Sequence, residues 1–393
     1  MIIGIVLSKV PGYSETFFRS KIEGLLSHGH KVYLFVNRKD KKEFFGAKVI
    51  GAMPVFNNLF LMVPLFIWHI GVFILKKPGL FYRYYKEQKI RSKGLVSFLR
   101  HLYLNIHILK KKTDWLHFGF ATLAVDREHI ARVTGAKMAV SIRGFDIAIY
   151  ALKYPGVFND TWKNVDKIHV ISDALKMKLY SSGFKGDKQV VKITPAIDVD
   201  KFITNRKDYK IESGNIINIL SVGRLYWKKG FEYGLEALSI LKKKGYIFNY
   251  TIIGGGEEFE RLKYAAYQLE LLDQVVFTGV LKHEKVLEYL QKSDIYLQPS
   301  IQEGFCNAVL EAQAAGCLCV VSDAEGLSEN VLHNETGWVV PRRNRNRLAE
   351  QIEYVINLPV EKKRYIINKA QQRVKVEFNL EKQVKEFIEF YEK

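Results

Sequence analysis

Apolar residues in this chain fall into short continuous runs rather than strict alternation. Ile2–Leu7 is one such run and "HKVYLFVN" (His30–Asn37) is the next. Between them lie the loop "SKVPGYSET" and an amphipathic pattern that predicts a helix from about Thr16 to His28. Runs apolar on both faces, separated by helical stretches, point to a parallel α/β sheet. "WLHFGF", "AKMAVSIRG", "KIHVIS" and "QVVKITP" continue the strands. From Asp200 to Asn215 the pattern lapses into a polar stretch that reads as a linker. The rhythm then restarts with "IINILSVGR" and continues through "GWVVP". Two consecutive open α/β domains follow, 1–204 and 205–377, with ligands expected at the carboxyl ends of strands that face a cleft. A last helix, about Leu380–Tyr391 within 378–393, comes after the second domain is complete and is expected to lie back across the first.

One segment breaks the rhythm. Leu59–Leu75, "LFLMVPLFIWHIGVFIL", is apolar for 17 residues but carries Pro64 and His69. That falls just short of a membrane span and reads as a buried or interfacial helix, with a span as the other reading. The N-terminal run is apolar, short, without a basic leader, and meets Lys9 early, so it reads as a first buried strand and not a signal peptide.

Composition supports this organisation and adds a partner. At 393 residues the chain exceeds what one hydrophobic core usually fills, and 48% hydrophobic with 26% charged residues describes a folded protein. The formal charge of +19 calls for an anionic partner. Nucleic acid, phosphorylated small molecules and anionic lipid headgroups all qualify. The charge is concentrated between Lys76 and Lys112, where 11 Lys or Arg face one acid, Glu87. Cys306, Cys317 and Cys319 form no disulfide framework and fit a reducing compartment; the last two alternate along a predicted strand as packing residues.

Candidate chemistry sits at strand ends. In "SVGRLYWKKGF" a strand ends at Gly223, Arg224 follows, and Lys229 and Gly230 precede a helix. An Arg fork and a Lys at a helix start suit a diphosphate. "IIGGGEEFERL" looks like a phosphate loop but lacks Walker spacing, and its glutamates suit a helix N-terminus, so a capped strand–helix turn is the better reading. Asp198-Val199-Asp200 is a short Asp-x-Asp with little claim to a metal. "DWLHFGFAT" and "SIRGFDI" place His117, Arg143 and Asp146 at strand ends, where His117 is expected to reach a ligand. Asp146 either caps the following helix or accepts from a substrate hydroxyl. No Ser or Cys nucleophile stands beside a His, and no HExxH or CxxC pattern occurs.

From Asn215 to Pro341 the chain resembles the retaining glycosyltransferases of family 4, which have the GT-B fold of two facing Rossmann-like domains. The resemblance is carried by "SVGRLYWKKGF", "IIGGGEEFERL", "VFTGVLKHEKVLEYLQKSDIYLQPS", "EGFCNAVLEAQAAG", "VVSDAEGLSENV" and "NETGWVVP" in order and spacing. "YSETFF" is similar to the start of members that build bacterial exopolysaccharide and lipopolysaccharide. The resemblance implies that Arg224 and Lys229 grip a donor diphosphate, that Glu303 binds hydroxyls of the donor sugar, and that Glu311 binds the ribose. It further implies that amides of Gly304, Phe305 and Cys306, with Asn307, approach the sugar and phosphates, with Gly223 beside them. Gly12 would close over the donor, His117 would face the reacting sugar, and Val280 and Leu281 would meet the base. Ser14, Glu15, Arg143 and Asp146 fall on the acceptor side. Two positions depart from the pattern: Arg143 stands where many members have His, and Cys306 where glycine is usual.

The implied reaction moves a hexosyl group from a nucleoside diphosphate sugar, UDP favoured and GDP possible, to a saccharide or polyprenyl-lipid-linked acceptor, without metal or other cofactor. No base for an inverting attack stands out, which agrees with retention: the acceptor hydroxyl attacks on the leaving-group face and a phosphate oxygen takes its proton. Residues 59–112 are expected to dock on an anionic membrane, making the protein cytoplasmic and peripheral at the inner face of the cell membrane. A sugar-nucleotide epimerase on the same fold and a basic nucleic-acid-binding protein are the rival readings; no base-stacking or groove-reading motif supports the latter.

Overall fold

The computed structural model describes residues 1–12, 16–89, 94–203 and 216–393. They form two compact units, Met1–Ile193 with Val384–Lys393, and Thr194–Gln383. The first division falls earlier than residue 204, and the second falls inside the last helix, for a visible reason. Ile193 belongs to the core of the first unit, and its amide donates to Val170 of that unit. Immediately beyond it, Gln383 Nε2 donates to the Thr194 carbonyl at 2.6 Å and Ile197 bridges Asn379, which ties this stretch to the second unit. The polar linker lies, from residue 204 onward, outside the described residues.

The first unit is built on eight strands: β1 (Ile2–Leu7), β2 (Lys31–Val36), β3 (Glu43–Phe44), β4 (Ala47–Gly51), β5 (Trp115–Phe118), β6 (Lys137–Ile142), β7 (Lys167–Val170) and β8 (Gln189–Lys192). Their order is β3-β4-β2-β1-β5-β6-β7-β8, parallel throughout except for the short β3, which runs antiparallel to β4. Helix α1 (Thr16–Ser27) sets Phe18, Ile22 and Leu25 against Ile3, Ile5 and Leu34 of the sheet. Between β4 and β5 the chain inserts α2 (Leu59–Lys76), α3 (Pro78–Lys89) and α4 (Leu95–Leu109). Asn58 starts α2 by accepting from the Phe60 amide at 2.9 Å, which satisfies one of the orphan donors of the first turn.

The last helix, Leu380–Glu392, supplies Phe387, Phe390 and Tyr391 to the core of this unit. It is pinned there by polar contacts as well: Trp115 Nε1 donates to the Tyr391 carbonyl at 2.9 Å, and Lys167 Nζ donates to Phe390 O at 2.7 Å.

The second unit holds six parallel strands: β9 (Ile217–Val222), β10 (Phe248–Ile253), β11 (Val275–Gly279), β12 (Ile295–Gln298), β13 (Leu318–Ser322) and β14 (Trp338–Val340). Their order is β11-β10-β9-β12-β13-β14. Successive strands are therefore added outward from β9 on one side and then, starting with β12, on the other. In open α/β sheets this reversal opens a crevice at the carboxyl ends of the two central strands. Ile295 and Tyr296 pair with Ile219 and Leu220, so the loops after β9 and β12 emerge side by side.

Candidate functional site

The loop after β9 is held in shape by backbone contacts. Gly223 N donates to Ile253 O at 2.9 Å and Leu225 N to Gly255 O at 2.9 Å, clamping the turn that carries Arg224 to the triple-glycine loop after β10. Gly254 has φ +148, and a Cβ there would lie 1.9 Å from the Gly223 carbonyl oxygen. The triple glycine thus lets two backbones touch, as a structural turn rather than a phosphate loop. Gly230 does the same on the other side: its φ is +62, and a Cβ would lie 2.3 Å from the carbonyl oxygen of Pro299, in the loop after β12. Ile301 N and Gln302 N both donate to the Lys228 carbonyl, at 2.7 and 3.2 Å.

These contacts bring together side chains that lie 74 positions apart. Lys229 Nζ donates to Glu303 Oε2 at 2.5 Å, with both side chains nearly enclosed at 12% and 11% exposure. Burial alone would lower the Lys229 pKa. The Glu303 charge and hydrogen bond, with help from Cys306, outweigh burial and raise it, so the ammonium is kept. Gly223 leaves room for this stem, since a Cβ would meet Lys229 Cε at 3.3 Å. Arg224 is exposed, and among the described residues no ion pair holds it. Lys228 is a third cation of the cluster. Burial lowers its pKa, and the charges of Glu303, Lys229, Arg224 and Glu325 all act on it.

Glu303 is positioned by the loop after β13: its amide donates to Glu325 Oε2 at 2.9 Å, and its carbonyl accepts from Gly326 N at 3.0 Å. Gly304, Phe305 and Cys306 follow, all buried. The amide of Cys306 is already committed, donating to Asn330 Oδ1 at 3.0 Å, while Asn330 Nδ2 donates back to the Cys306 carbonyl at 3.2 Å. This corrects the expectation that the Cys306 amide is open to a ligand. The thiol is pushed up to about 11 by burial, and it feels the charges of Lys229, Glu303 and Glu311. It therefore sits among the carboxylates and the Lys229 cation as an inert packing group.

Asn307 opens the helix Asn307–Ala314, and Glu311 lies on its second turn, half-buried. Its Oε1 accepts from His283 Nε2 at 3.3 Å. That hydrogen bond, against the opposing effect of burial, raises the His283 pKa. His283 starts the helix His283–Lys292 and is braced edge-on by Phe202, with ring centroids 5.3 Å apart. Val280, 74% exposed, and Leu281 precede it in the loop after β11, which the Gly254 amide ties down through Gly279 O at 2.9 Å. Sequence reading missed Lys228, His283 and Glu325. All three lie inside the motifs that carried the resemblance, but nothing in their local spacing marks them. Asp198 pairs with Lys201 at 2.5 Å, and among the described residues it joins no group of three or more His, Cys, Asp or Glu side chains.

In the first unit the outcome differs. His117 lies within β5, is fully buried, and does not face a crevice. Its Nε2 contacts Ser141 Oγ at 2.7 Å, and its Nδ1 contacts the Tyr391 hydroxyl at 2.6 Å and Lys21 Nζ at 3.2 Å. Ser141 contacts His169 Nδ1 at 2.8 Å, and His169 Nε2 contacts Ile193 O at 2.9 Å. The carbonyl of Ile193 can only accept, so His169 carries its proton on Nε2, Ser141 donates to His169, and His117 donates to Ser141. Burial pushes His117, His169 and Lys21 well below their usual values, so the two imidazoles are neutral and the chain is structural. The strand-end position of His117 misled because the last helix covers it with Tyr391.

Asp146 is also fully buried, accepting from the amides of Thr122 at 3.3 Å and Arg143 at 3.2 Å; it ties the turn after β6 to the Thr122 segment and is neither the cap of the helix that follows nor an exposed acceptor. Arg143 donates through Nε to Gly119 O at 3.2 Å and lays its guanidinium 3.8 Å from the centre of the Phe17 ring. Gly12 is exposed, in the loop after β1, and Ser14 and Glu15 lie outside the described residues.

Residues 202–373 match the model of the family "Glycosyl transferases group 1". The chain carries a glycosyltransferase group 1 domain. This stretch contains Arg224, Lys228, Lys229, Glu303, Glu311 and Glu325, so the crevice just described lies within that domain. Among curated relatives, the chain is 32% identical over 247 residues to the amylovoran biosynthesis glycosyltransferase AmsK of Erwinia amylovora, covering 60% of this chain and 58% of that protein. It is 26% identical over 222 residues to the N,N'-diacetylbacillosaminyl-diphospho-undecaprenol alpha-1,3-N-acetylgalactosaminyltransferase of Campylobacter jejuni, covering 54% of this chain and 57% of that one. The chain thus matches less than two thirds of the length of either relative. Among solved structures, Anabaena HepE in complex with UDP and glucose superposes with a TM-score of 0.71 at 16% identity, covering 99% of this chain and 98% of that one. At that identity the likeness extends the GT-B fold to the group 1 stretch and the remainder of the chain alike.

Proposed function

We propose that the chain is a retaining glycosyltransferase that moves a hexosyl group from a nucleoside diphosphate sugar to a saccharide or polyprenyl-lipid-linked acceptor in the synthesis of a cell-surface polysaccharide. One observation supports this reading above the others: the enclosed Lys229–Glu303 pair, flanked by Lys228 and Arg224, at the point where the strand order reverses. Departure of a nucleoside diphosphate leaves two negative charges on the phosphates. Arg224 and Lys229, with Lys228 behind them, stabilise those charges without a metal, and the first-turn amides of the helix Asn307–Ala314 add to the same field. Glu303 holds Lys229 in place and offers its other oxygen to sugar hydroxyls; Glu311, braced by His283, reads the ribose. Val280 and Leu281 then meet the base, with UDP favoured. The acceptor hydroxyl attacks on the leaving-group face and a phosphate oxygen takes its proton. Three buried free cysteines support a reducing, cytoplasmic setting for this work.

The test is a donor screen. Purified protein is incubated with UDP-, GDP- and ADP-sugars, and thermal stabilisation and slow nucleotide release are measured. One class of donor is expected to stabilise the protein and release nucleotide, and Arg224→Ala is expected to lose most of that release. Absence of any response to all three classes, or Arg224→Ala turning over like the wild type at saturating donor, overturns the proposal.

A further inference from the structure

A helix on the surface of a water-soluble domain normally turns its apolar stripe inward and its polar face outward. Helix α2 does not. Its inward side is seated: Ile70 and Phe73 are buried, and Phe66 and His69 lie against the Tyr103 ring of α4 at centroid distances of 5.0 and 6.0 Å. Its outward side is apolar along its whole length. Phe60 is 90% exposed, Val63 50%, Ile67 64%, Trp68 67% and Leu75 83%. At helical spacing these residues form one stripe, and Pro64 and Gly71 fall within it. The 18-residue helix has a mean hydropathy of 2.1, and only 11% of it is buried.

The C-terminal end of this stripe carries charge of one sign. Lys76 and Lys77 close α2, and Lys110, Lys111 and Lys112 close the neighbouring α4. Lys110 is near enough to feel the Lys76 charge, which adds to the lowering of its pKa by burial. Crowded cations beside an exposed apolar stripe suit an anionic lipid surface: the stripe enters the acyl boundary and the ammonium groups remain at the headgroups. An indole at the margin of the stripe suits the same interface.

We infer that α2 is an in-plane membrane anchor, lying along an anionic leaflet with its outer stripe in the acyl region and the body of the first unit behind it. Charge steers the protein to the surface, but the apolar stripe holds it there. A spanning pose would require the helix to leave the protein on all sides, whereas Ile70, Phe73 and the His69–Tyr103 contact keep one side of α2 docked along α4. This inference does not rest on the transfer reading, since it concerns a different part of the molecule and can be tested without donor or acceptor.

The experiment is flotation of the full chain with phosphatidylcholine vesicles, with and without phosphatidylglycerol, at low salt and at about 1 M salt, where screening acts within about 3 Å. The wild type is expected to float with the anionic vesicles and to keep a measurable share of that binding in high salt. Phe60→Asp/Ile67→Asp, altered only at exposed positions, is expected to keep the wild-type melt and lose at least about tenfold in partitioning, since two buried apolar contacts are replaced by charges in the acyl region. Quenching by brominated acyl chains is expected in the wild type and absent in Trp68→Phe. Three results overturn the inference: failure of the wild type to float with either vesicle; binding that salt abolishes and the double variant leaves intact; or a lipid-free dimer that the double variant dissociates, which would make a second copy the occupant of the stripe.

Discussion

Replacing Lys229 with Met keeps the aliphatic stem and removes the charge, so it isolates the ion pair. In the wild type the pair lies at 2.5 Å with side chains 12% and 11% exposed. At an effective dielectric of about 20 the attraction at that distance is roughly 7 kcal/mol before desolvation is subtracted. Removing one member leaves the other buried without its counter-charge, which costs about 3–5 kcal/mol. We expect Lys229→Met to destabilise the second unit by about 3 kcal/mol, a fall in its Tm of roughly 6–12 °C for a unit of this size. Glu303→Gln should cost a similar amount, because it strands the ammonium. The double variant should cost less than the sum of the two, with a coupling energy of about 2 kcal/mol. The assay is differential scanning calorimetry on all four proteins, with nucleotide release measured in parallel. Stability is expected to recover in the double variant while activity does not, since only the first depends on the pair being neutralised. Single variants within about 0.5 kcal/mol of wild type, with additive effects, would show that the pair is not the structural centre of the crevice.

Other expectations follow from the same geometry. Arg224→Ala, which breaks no described ion pair, should leave the melting curve unchanged and lower turnover by about 10²–10³, read from nucleotide release at saturating donor. His117→Ala should strand Ser141, Tyr391 and Lys21 and destabilise the first unit by about 2–4 kcal/mol, with the donor KM unchanged; a normal melt with lost activity would restore a catalytic role to His117. Acidification should weaken the first unit. His117, His169 and His107 have folded pKa values lowered by burial, the last to about 3, so their contribution is complete above the unfolded value near 6.5 and is lost as pH falls below it, by at most about 1.4 kcal/mol per pH unit per group. The His283–Glu311 contact runs the other way: the folded pKa of His283 is raised, so its contribution is complete below about 6.5 and is lost as pH rises through the folded value. Because His283 is 40% exposed, the stability effect should be only a few tenths of a kcal/mol. His283→Ala should appear instead as a several-fold higher donor KM at acidic pH, narrowing as the pH is raised.

Much of the second unit was legible in the sequence because its chemistry sits at strand ends. The run "IINILSV" had to be a buried strand, and the residues following it had to emerge at the sheet's edge, so Arg224 and Lys229 could be assigned to the loop after β9 from one dimension. The partner of Lys229 could not be. Glu303 reaches it because β12 lies against β9, bypassing β10 and β11, and strand order is a property of the whole sheet that no local pattern encodes. His283 was hidden for the same reason: its meaning depends on Glu311 arriving from another helix. His117 shows the opposite failure. Its position in the sequence resembled that of a strand-end ligand residue, but a helix that carries Tyr391, 274 residues further on, covers it, and its ring nitrogens are taken up by Ser141, Lys21 and Tyr391. Helix α2 marks the boundary between the two sources of information. Composition alone established that Leu59–Lys76 is apolar. Which half of it faces the protein was decided by Tyr103 and the packing against α4, since helical periodicity distinguishes faces only when their polarity differs.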